Sequence, residues 1–126
     1  MAKQVPAVPH GVTPIGPYSV ATEARGLVFI SGQVAIDPAS GQRVGGDAAA
    51  QAARIMDNLA LLLTDLGLEF SDVVKTTIFL TDMADFAAVN EVYRLRFPAE
   101  PPARSTVAVA ALPGGYRVEI EAVVAR

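Results

Sequence analysis

Between Asp47 and Gly67 the apolar residues Ala52, Ile55, Met56, Leu59, Leu62, Leu63 and Leu66 advance by threes and fours. That spacing returns every one of them to a single face of a helix. Asp47 is of the residue type that caps a helix N-terminus, and Gly67 is well placed as the left-handed residue just past the C-terminus. A helix with one long apolar face must bury it against another layer. The rest of the chain has to supply that layer.

It supplies strands. Leu27–Ser31 is rich in β-branched and aromatic residues, with Gly32 punctuating its end, and a shorter strand is expected near Tyr18–Thr22. "SDVVKTTIFLTD" predicts a strand centred on Thr76–Leu80. Asp82 or Asp85 then caps a second helix with the stripe Phe86, Val89, Tyr93 and Phe97, ended by Pro98, Pro101 and Pro102. Two strands close the chain, Ser105–Ala110 and Tyr116–Ala125, and the Pro113-Gly114-Gly115 turn between them predicts a hairpin. The expected class is α+β, a mixed β-sheet with two helices on one face.

The last strand has two unlike faces. Tyr116, Val118, Ile120, Ala122 and Val124 share one by period two and suit a helix-covered core. Arg117, Glu119, Glu121, Val123 and Ala125 share the other. Neither face of the Ser105–Ala110 strand is solvent-like, so the second sheet face reads as semi-apolar with isolated charges. Such a face on a small domain marks an interface, and an oligomer with sheets facing one another is expected. The charge content points the same way. Only 18% of the 126 residues are charged, against 52% hydrophobic, which is sparse for a monomer's surface.

Composition also excludes. With no cysteine there is no disulfide framework, thiolate metal site or cysteine nucleophile. The net charge of −3, with scattered basic residues, gives no support for nucleic-acid binding. "MAKQVPAVPHG" has no apolar core of a secretory signal, and no run approaches membrane-spanning length, so a soluble cytoplasmic protein is expected. His10 is the only histidine and lies in a loop-like stretch, which leaves a Ser-His-Asp triad or a histidine metal site without further support. Gly45-Gly46 and Gly114-Gly115 lack the residues of a phosphate-binding loop or a dinucleotide fingerprint. No metal and no cofactor is expected.

Few residues remain that could carry chemistry. Arg104 stands in "PPARSTVAVAALP" at the mouth of a strand, with no acidic residue within three positions. Locally it reads as a surface cation; the chemical alternative is an anchor for a carboxylate, gripped by two parallel hydrogen bonds. Glu119 and Glu121 are either solvated or partly desolvated, and a desolvated carboxylate of raised pKa is a candidate base toward water. Parity places both on one face and does not choose between them. Tyr18 in "IGPYS" and Ser31-Gly32 in "ISGQ" could line a pocket, although each also has an ordinary packing role. Asn90, mid-helix, reads first as solvent-facing.

Taken in order, "IGPYS" at 15–19, "VFISGQVAIDPASG" at 28–41, the long stretch at 58–93, "FPAEPPARSTVAVAALP" at 97–113 and "VEIEAVV" at 118–124 resemble the RidA (YjgF) family of small deaminases. The similarity covers nearly the whole chain as one domain, 1–126, and "PARS" followed by "EIEA" is its most specific part. The resemblance implies a chorismate mutase-like, YjgF-like fold and a homotrimer whose sheets form a central β-barrel. Small 2-imino and 2-oxo acids would bind in clefts between subunits. The implied activity is that of a 2-iminobutanoate/2-iminopropanoate deaminase, hydrolysing reactive enamines and imines from pyridoxal-phosphate enzymes to 2-oxo acids and ammonia. It implies Arg104 as the carboxylate anchor and Glu119 as the residue that orients water. Tyr18, Ser31, Gly32, Asn90 and Thr106 would line the substrate site. Many members carry a cysteine where this chain has Thr106, so thiol chemistry at that point is excluded here. The alternatives are a non-catalytic binder of small carboxylates, and a ribonuclease or translation inhibitor, against which the acidic balance argues.

Overall fold

The computed structural model describes residues 2–126. Five strands form one sheet in the order β1-β2-β5-β3-β4, where β1 is Ala21–Ala24, β2 Leu27–Gln33, β3 Val73–Leu80, β4 Ala103–Ala108 and β5 Val118–Ala125. Helix α1 spans Ala48–Leu66 and α2 spans Phe86–Arg94. All neighbouring strands are antiparallel except β3 and β4, which run parallel with α2 between them in the chain. This is the expected α+β arrangement.

Helix α1 forms as its stripe predicts. The Asp47 carboxylate accepts a hydrogen bond from the Ala50 amide at 2.9 Å, and Gly67 takes φ 72° to end the helix. Ala52, Ile55, Met56, Leu59, Leu62, Leu63 and Leu66 are all buried. They pack on Val28 and Ile30 of β2, Ile78 and Leu80 of β3, and Val118, Ile120, Ala122 and Val124 of β5. Cutting Ile55 or Leu62 back to alanine would cost about 2–5 kcal/mol, the range for a fully enclosed aliphatic side chain. Between β1 and β2, Arg25 and Gly26 both hold positive φ (52° and 76°), the geometry of a two-residue hairpin turn.

Four sequence expectations change. The first strand begins at Ala21 and not near Tyr18. The fourth spans Ala103–Ala108, so Arg104 lies inside it and not at its mouth. The last two strands do not form a hairpin, because β3 sits between them. The Pro113–Gly115 turn, with Gly114 at φ 81°, serves a longer connection that carries the chain past β3. β5 takes the far edge of β3, next to β2, and β4 is left as an edge strand. Finally, Phe86 is 37% exposed although it heads the apolar stripe; Val89, Tyr93 and Phe97 are buried as expected. Asp82, not Asp85, provides the side-chain cap before α2, accepting from the Ala84 amide at 2.9 Å.

The opposite sheet face carries no helix. Leu27 and Phe29 of β2 and Val107 of β4 are exposed on it, beside Glu119 and Glu121 of β5. Among the described residues, no helix is long and apolar enough to cross a membrane.

Candidate active site

Strand β4 pairs Arg104 with Thr76 of β3, and Thr76 is buried on the helix-covered side. Paired residues share a face, so Arg104 also points to the helix side, at the open edge of the sheet. Its guanidinium lies 5.0 Å from the Tyr93 ring centroid and 5.6 Å from that of Phe86. Aromatic faces attract a cation without satisfying its hydrogen bonds. Among the described residues Arg104 has no ion-pair partner. The guanidinium therefore keeps its donors for a ligand.

A cavity of about 460 Å³ opens here, lined by Arg104, Asn90, Tyr93, Phe97, Pro101 and Pro102 among others. The prolines form its wall. Asn90 follows the buried Val89 by one residue, which turns it from the core to the cavity. The Tyr93 hydroxyl is bonded to Thr76 Oγ1 at 2.7 Å, so the ring beneath Arg104 is fixed in place. Burial raises the Tyr93 pKa, opposed by the Thr76 hydrogen bond and the Arg104 charge. Tyr93 was read from the sequence only as a core stripe residue. The signal available was a hydroxyl at a fully apolar position, which needs a partner when buried. Thr106, two residues beyond Arg104 on the same face, has a buried Oγ1 with no partner among the described residues.

Glu119 is elsewhere. It pairs with Phe79 in the β3–β5 register, three residues from Thr76, and so lies on the other face of the sheet. Its carboxylate rests against Gly32. A Cβ at Gly32 would stand 2.5 Å from Glu119 Oε2, so only glycine fits beneath it. The β2–β5 register shifts between Ile30 and Gln33, and that irregularity places Gly32 there. Partial burial, and then the neighbouring Glu121 charge, push the Glu119 pKa up. The two glutamates, equivalent by parity, differ in burial: Glu121 is exposed, whereas Glu119 is half-buried.

Ser31 Oγ donates to the Ser19 carbonyl at 2.7 Å, and the Ser31 amide donates to Val20 O at 2.9 Å. Ser31 thus ties the loop bearing Tyr18 to β2. Tyr18 itself is 52% exposed. The single chain consequently holds two clusters. Arg104, Asn90 and Thr106 belong to the helix side of the β4 edge, while Gly32 and Glu119 meet on the outer sheet face, beside the loop anchored by Ser31. His10, the one histidine, is committed to Asp65 of α1, with Nδ1 2.6 Å from Oδ1 and its amide 2.8 Å from Oδ2. Among the described residues, no group of three potential ligands of the His, Cys, Asp or Glu type could hold a metal.

A family model described as Endoribonuclease L-PSP matches residues 9–126, and the chain belongs to that family, the YjgF/RidA family. The protein DfrA of Myxococcus xanthus is 55% identical over 111 residues, 86% of this chain and 85% of its own. The 2-iminobutanoate/2-iminopropanoate deaminase of Mus musculus is 50% identical over 109 residues, 86% of this chain and 81% of its own. The crystal structure of E. coli TdcF with bound serine superposes with a TM-score of 0.90 at 36% identity, covering 98% of this chain and 99% of that one.

Proposed function

We propose that the protein is a cytoplasmic hydrolase acting on C–N bonds, a 2-iminobutanoate/2-iminopropanoate deaminase that converts 2-imino acids and water to 2-oxo acids and ammonia. The observation that carries this reading is Arg104, a guanidinium without an ion-pair partner, held over Tyr93 and Phe86 in an open cavity. The mouse relative's name supports the choice of reaction.

The working unit is a homotrimer in which the outer sheet faces form a central barrel. Two facts support it. The outer face is semi-apolar and, among the described residues, is covered by no helix, with Phe29 44% and Val107 41% exposed. Arg104 and Glu119 lie on opposite faces of one sheet, so a site using both draws Arg104 from one copy and Glu119 from the next.

In that cleft Arg104 grips the substrate carboxylate through two parallel hydrogen bonds. Asn90 and Thr106 line the same half. Gly32, Glu119 and Tyr18 come from the neighbouring copy, with Ser31 holding the Tyr18 loop. Glu119 orients a water toward the imine carbon and accepts its proton. The C–O bond forms as the C=N π-bond opens, giving a carbinolamine. Proton transfer to nitrogen and cleavage of the C–N bond then release ammonia and leave the 2-oxo acid. Imines hydrolyse unaided, so positioning and charge complementarity suffice for useful acceleration. The chemistry requires no metal and no cofactor.

The test is a coupled assay in which a threonine or serine dehydratase generates the imine and 2-oxo acid release is followed. Arg104→Ala should lower the acceleration by about 100-fold or more, given the strength of a charge-assisted bidentate contact. Wild-type rates in a folded Arg104→Ala protein would refute the proposal. Carboxylate binding without any acceleration would instead make the protein a binder of small carboxylates.

A further inference from the structure

The Arg104 cavity contains a second guanidinium. Arg94 also lines it, and the lining that one copy contributes includes no carboxylate. Arg94 follows Asn90 by four residues on α2, which places the two side chains on one helix face a single turn apart. The cavity is thus flanked by Arg104 on β4 and Arg94 on α2, with the Asn90 amide on the same wall as Arg94. This local positive charge contrasts with the chain's net −3.

Arg94 is also available. Its one ion pair is to Glu91 at 3.3 Å, three residues back on the same helix. Both side chains are largely in water, 68% and 72% exposed. Such a pair contributes at most about 1 kcal/mol and exchanges readily for another anion. Arg104, by contrast, has no ion-pair partner among the described residues. A substrate with one carboxylate uses Arg104 alone and leaves Arg94, on the same cavity wall as Asn90, without a ligand charge to meet.

We infer that, alongside the short 2-imino acids of the proposed reaction, the site takes longer ones and prefers those ending in a second carboxylate, the imines of acidic amino acids, over uncharged ones of equal length. This rests on the proposed role of Arg104 as carboxylate anchor and adds the class of side chain. Arg104 holds the carboxylate next to the imine carbon, and Arg94 meets the distal one. The reaction is unchanged: water adds at the imine carbon, the C–N bond breaks, and a 2-oxo dicarboxylate and ammonia leave.

The experiment compares two product analogues of equal chain length by calorimetry on the whole protein at low salt. 2-Oxoglutarate carries the distal carboxylate, and 2-oxopentanoate does not. The expected result is about fivefold tighter binding of 2-oxoglutarate, near the upper end for a partly exposed ion pair. Added salt should shrink the difference. Arg94→Gln should bring the ratio close to one, and Glu91→Gln, which releases Arg94, should widen it. Equal affinities in the wild type, or a preference that survives Arg94→Gln, would overturn the inference. The anchor itself is tested by 2-oxopentanoate alone. If Arg104→Ala does not weaken its binding, the underlying reading fails, and this one with it.

Discussion

Gly32 and Glu119 are in contact across β2 and β5: the space where a Gly32 side chain would begin is occupied by the Glu119 carboxylate, 2.5 Å from Oε2 and 2.7 Å from Cδ. The glycine is therefore required by the orientation of Glu119 and not by its own backbone, which does not adopt positive φ. Gly32→Ala should push the carboxylate aside while leaving the fold intact, because the obstructing atoms are the mobile end of a side chain. The expected outcome is a fall in kcat of about 10- to 100-fold, part of the roughly 100- to 10,000-fold that a well-positioned acid–base group contributes, with little change in melting temperature. Kinetics and thermal melting on the same preparation check it. Unchanged kcat would mean that the position of Glu119 does not matter to catalysis.

The raised pKa of Glu119 gives a pH dependence of definite sign. Burial and the Glu121 charge both disfavour its ionised form. As a base it must be ionised, so activity should fall on acidification at a higher pH than an ordinary carboxylate would give. Glu121→Gln removes a neighbouring negative charge and should move that limb to lower pH. Stability runs the other way. A carboxylate whose folded pKa exceeds its unfolded pKa contributes stability fully present below the unfolded pKa and lost as pH rises through the folded one. Glu119→Gln should therefore be more stable than wild type at neutral pH, with the difference vanishing near pH 4. Rate profiles for the first variant and denaturation at several pH values for the second decide these points.

The hydrogen bond between Tyr93 and Thr76 joins the core to the Arg104 shelf. Tyr93→Phe leaves a buried threonine hydroxyl without its partner, which should cost about 1–3 kcal/mol. Thr76→Val strands the tyrosine hydroxyl similarly. The double variant should cost less than the sum, since neither unpaired group remains. Urea denaturation of the four proteins measures the coupling. Strict additivity would mean that the two hydroxyls do not depend on each other.

How much of this was legible in the sequence depended on the range of the interaction. The helix from Ala48 to Leu66 could be read because its stripe and both ends are local signals. The two faces of β5 were legible for the same reason. Strand order was not. Pro113-Gly114-Gly115 looks like a hairpin turn, but β5 pairs over a long range with β2 and β3 and not with β4. Long-range pairing also sets the faces: Arg104 opposite Thr76 points to the helix side, and Glu119 opposite Phe79 points away from it. Tyr93 hid within an apolar stripe because one hydroxyl among core positions does not disturb the helical period. Arg104 stands out by lacking an acidic neighbour within three positions in sequence, and among the described residues it lacks an ion-pair partner in space as well.

Opposite faces for Arg104 and Glu119 make a prediction about mixed oligomers. If each site takes Arg104 from one copy and Glu119 from the next, neither Arg104→Ala nor Glu119→Gln homotrimers contain a complete site. In a cyclic trimer containing both kinds of subunit, one junction always joins an intact Arg104 to an intact Glu119. Random mixing in equal amounts should then restore about a quarter of wild-type activity, because about three-quarters of such trimers are mixed and each has one good site of three. Co-expression with two affinity tags, purification of the mixed species and the dehydratase-coupled assay provide the measurement. Activity in mixed trimers from two inactive parents would establish a site shared between copies. Mixed trimers as inactive as their parents would overturn the shared-site reading.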